Sequence, residues 1–467
     1  MNSNWKNILN GVLYSFKGGV YPDEHKSGTS GLQSRALGVP DTLVIPLKQH
    51  SGSAAEVLVK PGQHVLQNEP LTSPANDRQV PVHAPVSGTV TAIAQAPIAH
   101  AGGLTEPCII LKTDKEPAGA VYENPAYPSY AEVPVDTLLN HIRSMGIAGL
   151  GGAGFPTEAK LRSSVKAQNC ELLIINGAEC EPYITCDDQL MRSCPEEILT
   201  GMEIMLSMFP NASGVVVIED NKPEAIAAMQ KAAEGREHIE ILSVPVKYPQ
   251  GGERSCISVV TGASYRIDQL PADVGCIVDN VGTIHAIYKA VCESTPLISR
   301  GVTVTGDVVR EPKNFITRIG VSCAELLEAA GGYKDGAEAV KVLAGGPMMG
   351  IAMDNLNVPI QKNNNALTFL GEDEVAYAEK IQTACIRCGR CNHVCPQGLA
   401  PQLMSAAFEK KDFDRYDKKL HGLECIFCGS CAFICPAKRP LTQMFKIAKA
   451  EILAIRKAEQ AKEGKKA

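Results

Sequence analysis

Long apolar runs are missing from this sequence. No stretch reaches the roughly 18 consecutive apolar residues that a membrane-spanning helix needs, and the first residues, Met1–Lys6, lack the apolar core and cleavage site of a signal peptide. Charge of one sign is not in excess either, because 45 Lys and Arg stand against 51 Asp and Glu. The resulting net charge of −6 argues against general nucleic-acid binding. We therefore expect neither a membrane-spanning protein nor a nucleic-acid-binding one.

Aromatic residues are also scarce, at 5% of the chain with a single Trp, whereas glycine and proline are plentiful at 41 and 30 residues. This balance favours a loop-rich α/β protein. A chain of 467 residues is too long for one hydrophobic core, so three or four domains are expected.

Cysteine is abundant, and eight of the 17 cysteines form two copies of the pattern C-x2-C-x2-C-x3-C-P. The first copy is Cys385, Cys388, Cys391 and Cys395, and the second is Cys425, Cys428, Cys431 and Cys435. This is the run found in bacterial ferredoxins with two [4Fe-4S] clusters, in which the fourth cysteine of each run binds the other cluster. Zinc sites, the main alternative, rarely have this doubled, proline-closed form.

Two [4Fe-4S] clusters are therefore predicted. Cys385, Cys388, Cys391 and Cys435 are expected to bind one cluster, and Cys425, Cys428, Cys431 and Cys395 the other. Iron–sulfur ligation suits a reducing cytosol. The nine remaining cysteines show no ligand spacing, and most of them are expected to be buried thiols.

Hydrophobic periodicity divides the rest of the chain. Residues 41–116 alternate short β-branched runs with turns and resemble the barrel-sandwich hybrid of biotinyl and lipoyl domains, but without a carrier lysine between the halves. Residues 117–134 are proline-rich and predict a linker, and residues 135–297 predict an α/β domain with buried strands at Leu172–Ile175, Val215–Ile218 and Cys276–Val278. Residues 1–40 form an N-terminal segment, 298–370 return to strands, 376–440 hold the cysteines, and 441–467 form a basic tail.

Four loops of the α/β domain have the residues of a nucleotide site. The glycine-rich segment GLGGAGFPT at 149–157 precedes a helix, whose N-terminus and exposed amides favour an anion. The segments NGAECEP at 176–182 and DNVGT at 279–283 follow predicted strands, where ligand loops emerge from α/β sheets. YPQGGE at 248–253 adds a second glycine-rich loop with an acid. Taken alone, the first loop also fits a glycine-rich turn without a ligand.

These four segments, in this order, resemble the NADH-binding flavoprotein subunit of respiratory complex I. The resemblance implies an FMN site and a nicotinamide nucleotide site over it. Residues expected at the FMN are Gly149, Gly151, Gly152, Lys160, Asn176, Glu179, Tyr248, Gly251, Asn280 and Thr283. Residues expected to face NAD(H) are Phe155, Glu181 and Glu253. The sequence departs from that family at Leu150, Ala178 and Gly252, where the family has an arginine, an aspartate and an acid.

The complete arrangement resembles the C subunits of Rnf (Rsx) ion-translocating ferredoxin:NAD oxidoreductase complexes. FKGGVYP at 16–22, NGAECEPY at 176–183 and GGPMMG at 345–350 carry this resemblance, and residues 302–332 resemble a soluble-ligand-binding β-grasp domain. The implied fold is a multidomain α/β chain with a barrel-sandwich-hybrid-like domain, a complex I flavoprotein-like FMN domain, a β-grasp domain and a two-cluster ferredoxin domain. No catalytic acid or base is expected, and His285 and His393 are interpreted as structural or surface residues.

The resemblance implies an NADH-linked oxidoreductase subunit of a translocase-type complex, with non-covalent FMN, two [4Fe-4S] clusters and NAD(H) as substrate. Its implied partners are the integral-membrane and ferredoxin-like subunits of the same complex, with ferredoxin or flavodoxin reached indirectly and no nucleic acid. The implied place is the cytoplasmic face of the bacterial inner membrane, as a peripheral protein. Two alternatives stay open: a diaphorase subunit of a soluble hydrogenase or formate dehydrogenase, and a non-catalytic iron–sulfur scaffold with a decayed nucleotide site.

Both chain ends have features of docking elements. An apolar helix face is predicted near the N-terminus, formed by Trp5, Ile8, Leu9, Val12 and Leu13. The tail carries Phe445, Ile447, Ile452 and Ile455 among lysines. Such stripes pack on their own domain, lie at a membrane interface or dock on a partner helix, and the resemblance favours the partner.

Overall fold

The computed structural model describes residues 14–100, 102–114, 121–263, 265, 269–373 and 378–463. The predicted N-terminal apolar face therefore lies outside the described residues. The chain forms two compact units, each made of separate stretches of sequence. One unit, here called the cluster unit, comprises Met1–Asp23, Lys247–Gln269 and Glu372–Ala467, and the other, here called the flavin unit, comprises Glu24–Val246 and Leu270–Gly371.

Sixteen strands are assigned within the described residues. They are β1 (Arg35–Ala36), β2 (Thr42–Pro46), β3 (Glu56–Val57), β4 (His64–Val65), β5 (Thr72–Ser73), β6 (Gly88–Pro97), β7 (Thr105–Thr113), β8 (Leu172–Gly177), β9 (Ser213–Glu219), β10 (Ile239–Val244), β11 (Cys276–Asn280), β12 (Ser299–Thr305), β13 (Lys313–Arg318), β14 (Lys341–Ala344), β15 (Ile351–Met353) and β16 (Ala366–Leu370).

Thirteen α-helices are assigned in the same part of the chain. They are α1 (Val135–Ser144), α2 (Thr157–Ala167), α3 (Cys186–Ser193), α4 (Pro195–Leu206), α5 (Pro223–Ala233), α6 (Glu253–Thr261), α7 (Val281–Glu293), α8 (Cys323–Ala329), α9 (Ala378–Ile381), α10 (Arg390–His393), α11 (Pro401–Glu409), α12 (Ser430–Phe433) and α13 (Leu441–Glu463). No described helix has the length and apolar character needed to cross a membrane.

The flavin unit contains a parallel sheet of four strands in the order β10-β9-β8-β11. Strands β8 and β9 are buried along nearly their whole length, which is why they are continuous runs of Leu, Ile and Val. Helices α1, α4, α5 and α7 contribute side chains to a core with Leu173, Ile175 and Val216. Because the strands are parallel, the loops that follow them emerge at one edge of the sheet.

Two β-structures complete the flavin unit. The first contains the antiparallel sheet β2-β7-β6-β4 and the pair β3-β5, and it corresponds to the predicted hybrid domain. The second is a sheet of six strands in the order β1-β13-β12-β16-β14-β15, which includes the short β1 from the predicted N-terminal segment. Their apolar faces share one core, in which Leu43 and Ile109 meet Val302 and Phe369.

A buried lysine links segments that are distant in the flavin unit's sequence. The Lys362 ammonium donates hydrogen bonds to the carbonyls of Pro81, at 2.9 Å, and Gly146, at 2.7 Å. Burial lowers the pKa of Lys362 to about 7. Gly146, with φ +70°, has no room for a side chain, because an added Cβ would lie 2.5 Å from the Pro81 carbonyl oxygen.

The cluster unit is helical and small. Cys391 lies in α10 and Cys431 in α12. Phe445, Ala448 and Ile452 of α13 are buried in one core with Met404 and Tyr416. Ile447 and Ile455 on the same helix remain exposed. Part of the predicted tail stripe therefore packs on its own unit.

The predicted α/β domain at 135–297 is interrupted in the structure. Residues Lys247–Gln269, which include α6, belong to the cluster unit. Val20 pairs with Tyr248 through two backbone hydrogen bonds of 2.8 and 2.9 Å. This pairing between remote segments is the physical reason for the interruption, and local sequence patterns do not reveal it.

Candidate functional site

The glycine-rich loop 149–157 lies directly before α2 and is closed by its own backbone. Gly149 N–H donates to the Phe155 carbonyl at 2.8 Å. Gly151, Gly152 and Ala153 form an exposed tip, and Phe155 is 42% exposed. Gly152 has φ +117°, a backbone conformation that essentially only glycine adopts. The tip thus offers bare backbone to a ligand, and Phe155 offers an aromatic face.

Neighbouring segments of the flavin unit hold this loop in place. The Ser51 hydroxyl donates to the Ala153 carbonyl at 2.6 Å, and the Ser51 amide donates to the Gly154 carbonyl at 2.8 Å. Leu150 N–H donates to the Thr283 hydroxyl at 2.9 Å. Asn363 donates to the Gly152 carbonyl at 3.4 Å. The hybrid domain and the segment before β16 therefore both support the predicted cofactor loop, a role that no motif in the sequence indicates.

Thr283 and Asn280 were predicted at the FMN, and both lie at the start of α7. Thr283 is fully buried, and its hydroxyl accepts the Leu150 hydrogen bond. Asn280 is the N-cap of α7: its side-chain oxygen accepts from Gly282 N–H at 2.8 Å, and its amide donates to Asp187 at 2.7 Å. An added Cβ on Gly151 would lie 3.2 Å from the Asn280 Cβ, so the loop tip and the helix start approach closely.

Lys160 reaches the same edge of the sheet from α2. Its ammonium donates to the Val278 carbonyl at 2.7 Å and to the Asp279 carboxylate at 2.9 Å. The Lys160 side chain is 27% exposed, whereas that of Asp279 is 3% exposed. The sequence predicted a phosphate contact for Lys160 and missed this ion pair, because the spacing of 119 residues leaves no local signal.

Glu179 lies in the loop after β8 and is deeply buried. Its carboxylate accepts from the backbone N–H groups of Asp187, at 2.6 Å, and Asp188, at 3.1 Å, at the start of α3. Burial raises the pKa of Glu179 to about 8, against the opposing effect of nearby Lys26. Asn176, at the end of β8, accepts from Ala178 N–H at 3.1 Å.

Lys26 supports this loop through its backbone, and no motif in the sequence predicts that role. Its ammonium donates to the carbonyls of Glu179, at 2.8 Å, Glu181, at 3.0 Å, and Ile184, at 2.5 Å. Burial lowers the pKa of Lys26. Lys26 and Lys222 also line a polar cavity with Asp188 and Asn221.

Glu181, which the sequence predicts to face the nicotinamide, contacts the GGPMMG segment directly; its role at the nicotinamide stays a prediction. Its carboxylate accepts from Met348 N–H at 3.2 Å and Met349 N–H at 2.7 Å. An added Cβ on Gly346 would lie 2.8 Å from a Glu181 carboxylate oxygen. Burial raises the pKa of Glu181 to about 7. Two motifs that were separate in the sequence, at 176–183 and 345–350, are thus joined by one carboxyl group.

The loop 248–253 belongs to the cluster unit. Tyr248 is 2% exposed and its hydroxyl donates to the Cys428 carbonyl at 2.7 Å. Gly251 precedes the N-cap Gly252, and Glu253 is the first residue of α6. Gln250 is 2% exposed, and no partner for its Nε2 is found within the described residues. A buried donor without a partner is rare in folded proteins, so Gln250 adds a candidate ligand contact that the sequence analysis missed.

The eight cysteines form two groups within the cluster unit. The outer group comprises Cys385, Cys388, Cys391 and Cys435, which line one cavity together. The inner group comprises Cys395, Cys425, Cys428 and Cys431. Burial raises the pKa of the Cys431 thiol, and the nearby Cys425, Cys428 and Cys395 thiols raise it further.

The two groups have the membership that the doubled pattern predicts, and this donor set fits two cubane clusters better than separate zinc sites. Cluster binding by these particular cysteines stays a prediction. Of the other nine cysteines, six are buried: Cys108, Cys170, Cys186, Cys256, Cys276 and Cys323. His285 forms an ion pair with Glu197, with 2.7 Å between Nε2 and the carboxylate, and His393 is exposed on α10.

Comparison with protein families agrees with the domain order. Residues 142–289 match the Nuo51 FMN-binding domain, and residues 14–116 match the RnfC barrel sandwich hybrid domain. Residues 302–352 match the SLBB domain, and residues 378–452 match the 4Fe-4S dicluster domain. The fold predicted from the sequence is therefore confirmed, and FMN and iron–sulfur clusters are the cofactors that these domains bind.

Curated relatives cover most of the chain. A Yersinia pestis protein, named as the C subunit of an ion-translocating oxidoreductase complex, is 42% identical over 95% of this chain and 70% of its own length. The Vibrio cholerae protein of the same name is 41% identical over 88% of this chain and 52% of its own length. The chain spans about half the length of the first of the curated relatives it matches.

A solved structure, an NAD+-reducing [NiFe]-hydrogenase in the H2-reduced state, aligns with 72% of this chain and 69% of that chain at 19% identity and a TM-score of 0.48. At that level the structural likeness carries no weight for function. The sequence identity to the curated relatives is higher, and it shows that this chain belongs to the family of C subunits of ion-translocating oxidoreductase complexes.

Proposed function

We propose that the chain is the peripheral electron-transfer subunit of a membrane ion-translocating ferredoxin:NAD oxidoreductase. It exchanges hydride between NAD(H) and FMN and passes single electrons through two [4Fe-4S] clusters. The observation that carries this proposal is the presence, in one chain, of an FMN-binding domain at 142–289 and two groups of four cysteines. NADH gives up two electrons together, whereas each cluster carries one. Electron transfer between them therefore needs a cofactor that can accept two electrons and release them one at a time.

FMN supplies that conversion when bound, because flavins accept hydride and release electrons one at a time. The residues of the chain would bind FMN and NAD(H) and orient them relative to each other. In this proposal, Gly149, Gly151 and Gly152 would bring backbone amides to the flavin. Contacts with the flavin are also assigned to Asn176, Tyr248, Gly251, Asn280 and Thr283, and Glu179 and Lys160 would set the charge near it. Phe155, Glu181 and Glu253 would contact NAD(H).

The fit of FMN to these residues has one weak point. Leu150, where complex I-type relatives have arginine, is 5% exposed and packs in the core of the flavin unit. It therefore contributes no charge to a phosphate. Lys160 is the basic residue nearest to the loop in sequence, and its pairing with Asp279 leaves the ammonium at the sheet edge. This substitution is the observation that favours the second candidate, a non-catalytic iron–sulfur scaffold with a decayed nucleotide site.

The experiment is an anaerobic NADH titration of full-length protein loaded with FMN and iron. We expect NADH to bleach the flavin and to reduce ferricyanide. Glu253→Gln should raise the KM for NADH while FMN stays bound, and Glu240→Gln, an exposed change on β10, is the matched control. Fully FMN-loaded protein that cannot pass electrons from NADH to ferricyanide would establish the scaffold instead.

We also propose the cytoplasmic face of the inner membrane as the working place, with integral-membrane and ferredoxin-like subunits as partners. The relatives' name, which assigns them to an ion-translocating complex, supports this. Residues 1–15 are the proposed docking element. Deleting them should release the protein from membranes that carry its partner subunits and leave NADH–ferricyanide activity unchanged. A truncated protein that is active and stays on those membranes would show that another element docks.

A further inference from the structure

A sulfur, an oxygen and a nitrogen donor converge in the flavin unit, outside the predicted flavin loops. They belong to Cys194, Glu197 and His285, whose thiol sulfur, carboxylate oxygen and ring nitrogen all lie within 4.8 Å of one another. The Nε2 atom of His285 is 2.7 Å from the Glu197 carboxylate. All three residues are partly exposed, so an ion can reach them from solvent.

Two closely packed helices hold these three residues. Cys194 joins α3 to α4 and Glu197 lies in the first turn of α4, whereas His285 lies on α7. One turn after Glu197, the helices touch through their backbones: an added Cβ on Gly201 would clash with the Ile284 carbonyl oxygen. This close packing fixes the relative positions of α4 and α7, and with them those of the three donors.

The donor set suits a zinc ion. Thiolate, imidazole and carboxylate are the zinc ligands of proteins, and a site with three protein ligands keeps a fourth position for water. Magnesium and calcium prefer oxygen ligands throughout. Tetrahedral zinc with bonds of about 2.0–2.2 Å places its nitrogen and oxygen ligands roughly 3.3 Å apart. The side chains of His285 and Glu197 are 23% and 34% exposed, which leaves them room to open their 2.7 Å contact by this amount.

The charges around the donors also favour a cation. Burial raises the pKa of the Cys194 thiol, and the nearby Glu197 carboxylate raises it further. Lys289, which opposes this effect, forms an ion pair with Glu293. The thiol therefore keeps its proton when no cation is present. A divalent ion between the sulfur and the carboxylate reverses the effect, because a coordinating thiol is deprotonated outright.

We infer that Cys194, Glu197 and His285 bind one zinc ion, with a water molecule as the fourth ligand. Zinc replaces the proton of the Cys194 thiol, which is released to solvent, and no electron is transferred. The ion joins the corner between α3 and α4 to α7 and so stabilises the flavin unit. The site takes no part in the proposed electron transfer and goes beyond it.

Zinc binding is tested by calorimetric titration of zinc chloride into full-length protein that carries its iron–sulfur clusters. One zinc should bind per chain, and Cys194→Ser and His285→Gln should each weaken binding at least about a hundredfold, because each removes a direct ligand. Cys292→Ser, on the same helix as His285, and exposed His238→Gln are the matched controls and should bind zinc like wild type. Equal zinc affinity in wild type and both ligand variants would overturn the site.

X-ray absorption at the zinc edge identifies the atoms that bind the ion. The expected shell contains one sulfur and three nitrogen or oxygen atoms. A shell of sulfur alone, with iron released from the protein, would place the zinc at the cluster cysteines and overturn the proposal. A shell without sulfur would show an adventitious ion only and would also overturn it.

Hydrogen exchange tests whether the ion joins the helices. A ligand that binds only the folded state stabilises it, so zinc should slow exchange of the α7 amides in wild type and leave Cys194→Ser unchanged. Unchanged exchange in zinc-loaded wild type would contradict the proposed role of the ion. If one ligand variant does not fold, the other decides. These measurements need neither FMN nor NADH, so a failure of the proposed function leaves their result intact.

Discussion

One carboxyl group, that of Glu181, should make the stability of the flavin unit depend on pH. Its folded pKa is about 7, raised by burial from 4.5. Between these values the folded state keeps a proton that the unfolded chain loses, so the free energy of unfolding falls as pH rises through this window. Across this window the Glu181 carboxyl group should lower the free energy of unfolding by on the order of 3 kcal/mol.

This is measured by urea unfolding between pH 4.5 and 8. Glu181→Gln cannot ionise, so its unfolding free energy should fall less steeply than that of wild type over the same range, and exposed Glu240→Gln should follow wild type. Parallel curves for wild type and Glu181→Gln would mean that the carboxyl is not buried as described.

The Thr283 hydroxyl should support both the glycine-rich loop and FMN binding. Thr283→Val keeps the shape of the side chain but removes the acceptor for Leu150 N–H. A buried amide without a partner costs about 1–3 kcal/mol. We expect faster hydrogen exchange at Leu150 and weaker FMN binding, both largely restored in Thr283→Ser. If the valine and serine variants bind FMN equally, the hydroxyl does not support the loop.

The roles of individual residues could be predicted from the sequence where a motif of closely spaced residues determines them. The cysteine groups follow from spacing alone, since C-x2-C-x2-C-x3-C-P dictates which thiols reach one cluster. Lys26 and Ser51 could not be predicted, because each acts on backbone carbonyls more than 100 residues away, and a carbonyl has no sequence signature.

At the scale of elements, helix α13 is expected to stabilise the cluster unit through one face. Phe445, Ala448 and Ile452 are buried on that face, whereas Ile447 is 52% exposed. Phe445→Ala should therefore cost about 3–5 kcal/mol, and Ile447→Ala should change stability by less than about 0.5 kcal/mol. Anaerobic guanidinium unfolding, followed by the visible absorbance of the clusters, measures both. Similar losses in the two variants would contradict this packing.

The strands and helices of the flavin unit were largely predictable, because their periodicity is strong. The predicted strand Val215–Ile218 is the centre of β9 (Ser213–Glu219), and the predicted strand Cys276–Val278 is the start of β11 (Cys276–Asn280). Short strands such as β1 were not predictable. A strand of two residues is too short to show an alternation of apolar and polar side chains. Strand β1 forms because it pairs with β13.

At the scale of the whole molecule, the cluster unit should hold together after its chain is cut. The cluster unit contains the cysteines together with two stretches from earlier in the chain, residues 14–23 and 247–269. A cut after residue 371 therefore separates these stretches covalently from the cysteines. A protease site inserted at 374–377 should thus give two fragments that co-elute in size exclusion. A separately made fragment 372–467 lacks the hydrogen bond from the Tyr248 hydroxyl to the Cys428 carbonyl and the one from Gly19 N–H to the Val394 carbonyl. It should therefore lose its clusters faster in air than the cut protein. Immediate separation of the cut fragments would show that these contacts are weak.

The same interleaving constrains how the protein is made. Tyr248 leaves the ribosome 180 residues before Cys428, its hydrogen-bond partner. Until the last cysteine at 435 has been synthesised, segments 14–23 and 247–269 have no surface to close on. Because Cys395, Cys428 and Cys431 are buried in the folded unit, we expect iron–sulfur insertion to precede the closing of these two segments over them. Cells starved of iron should accumulate a chain that is protease-sensitive at 14–23 and 247–269 while the flavin unit is already folded.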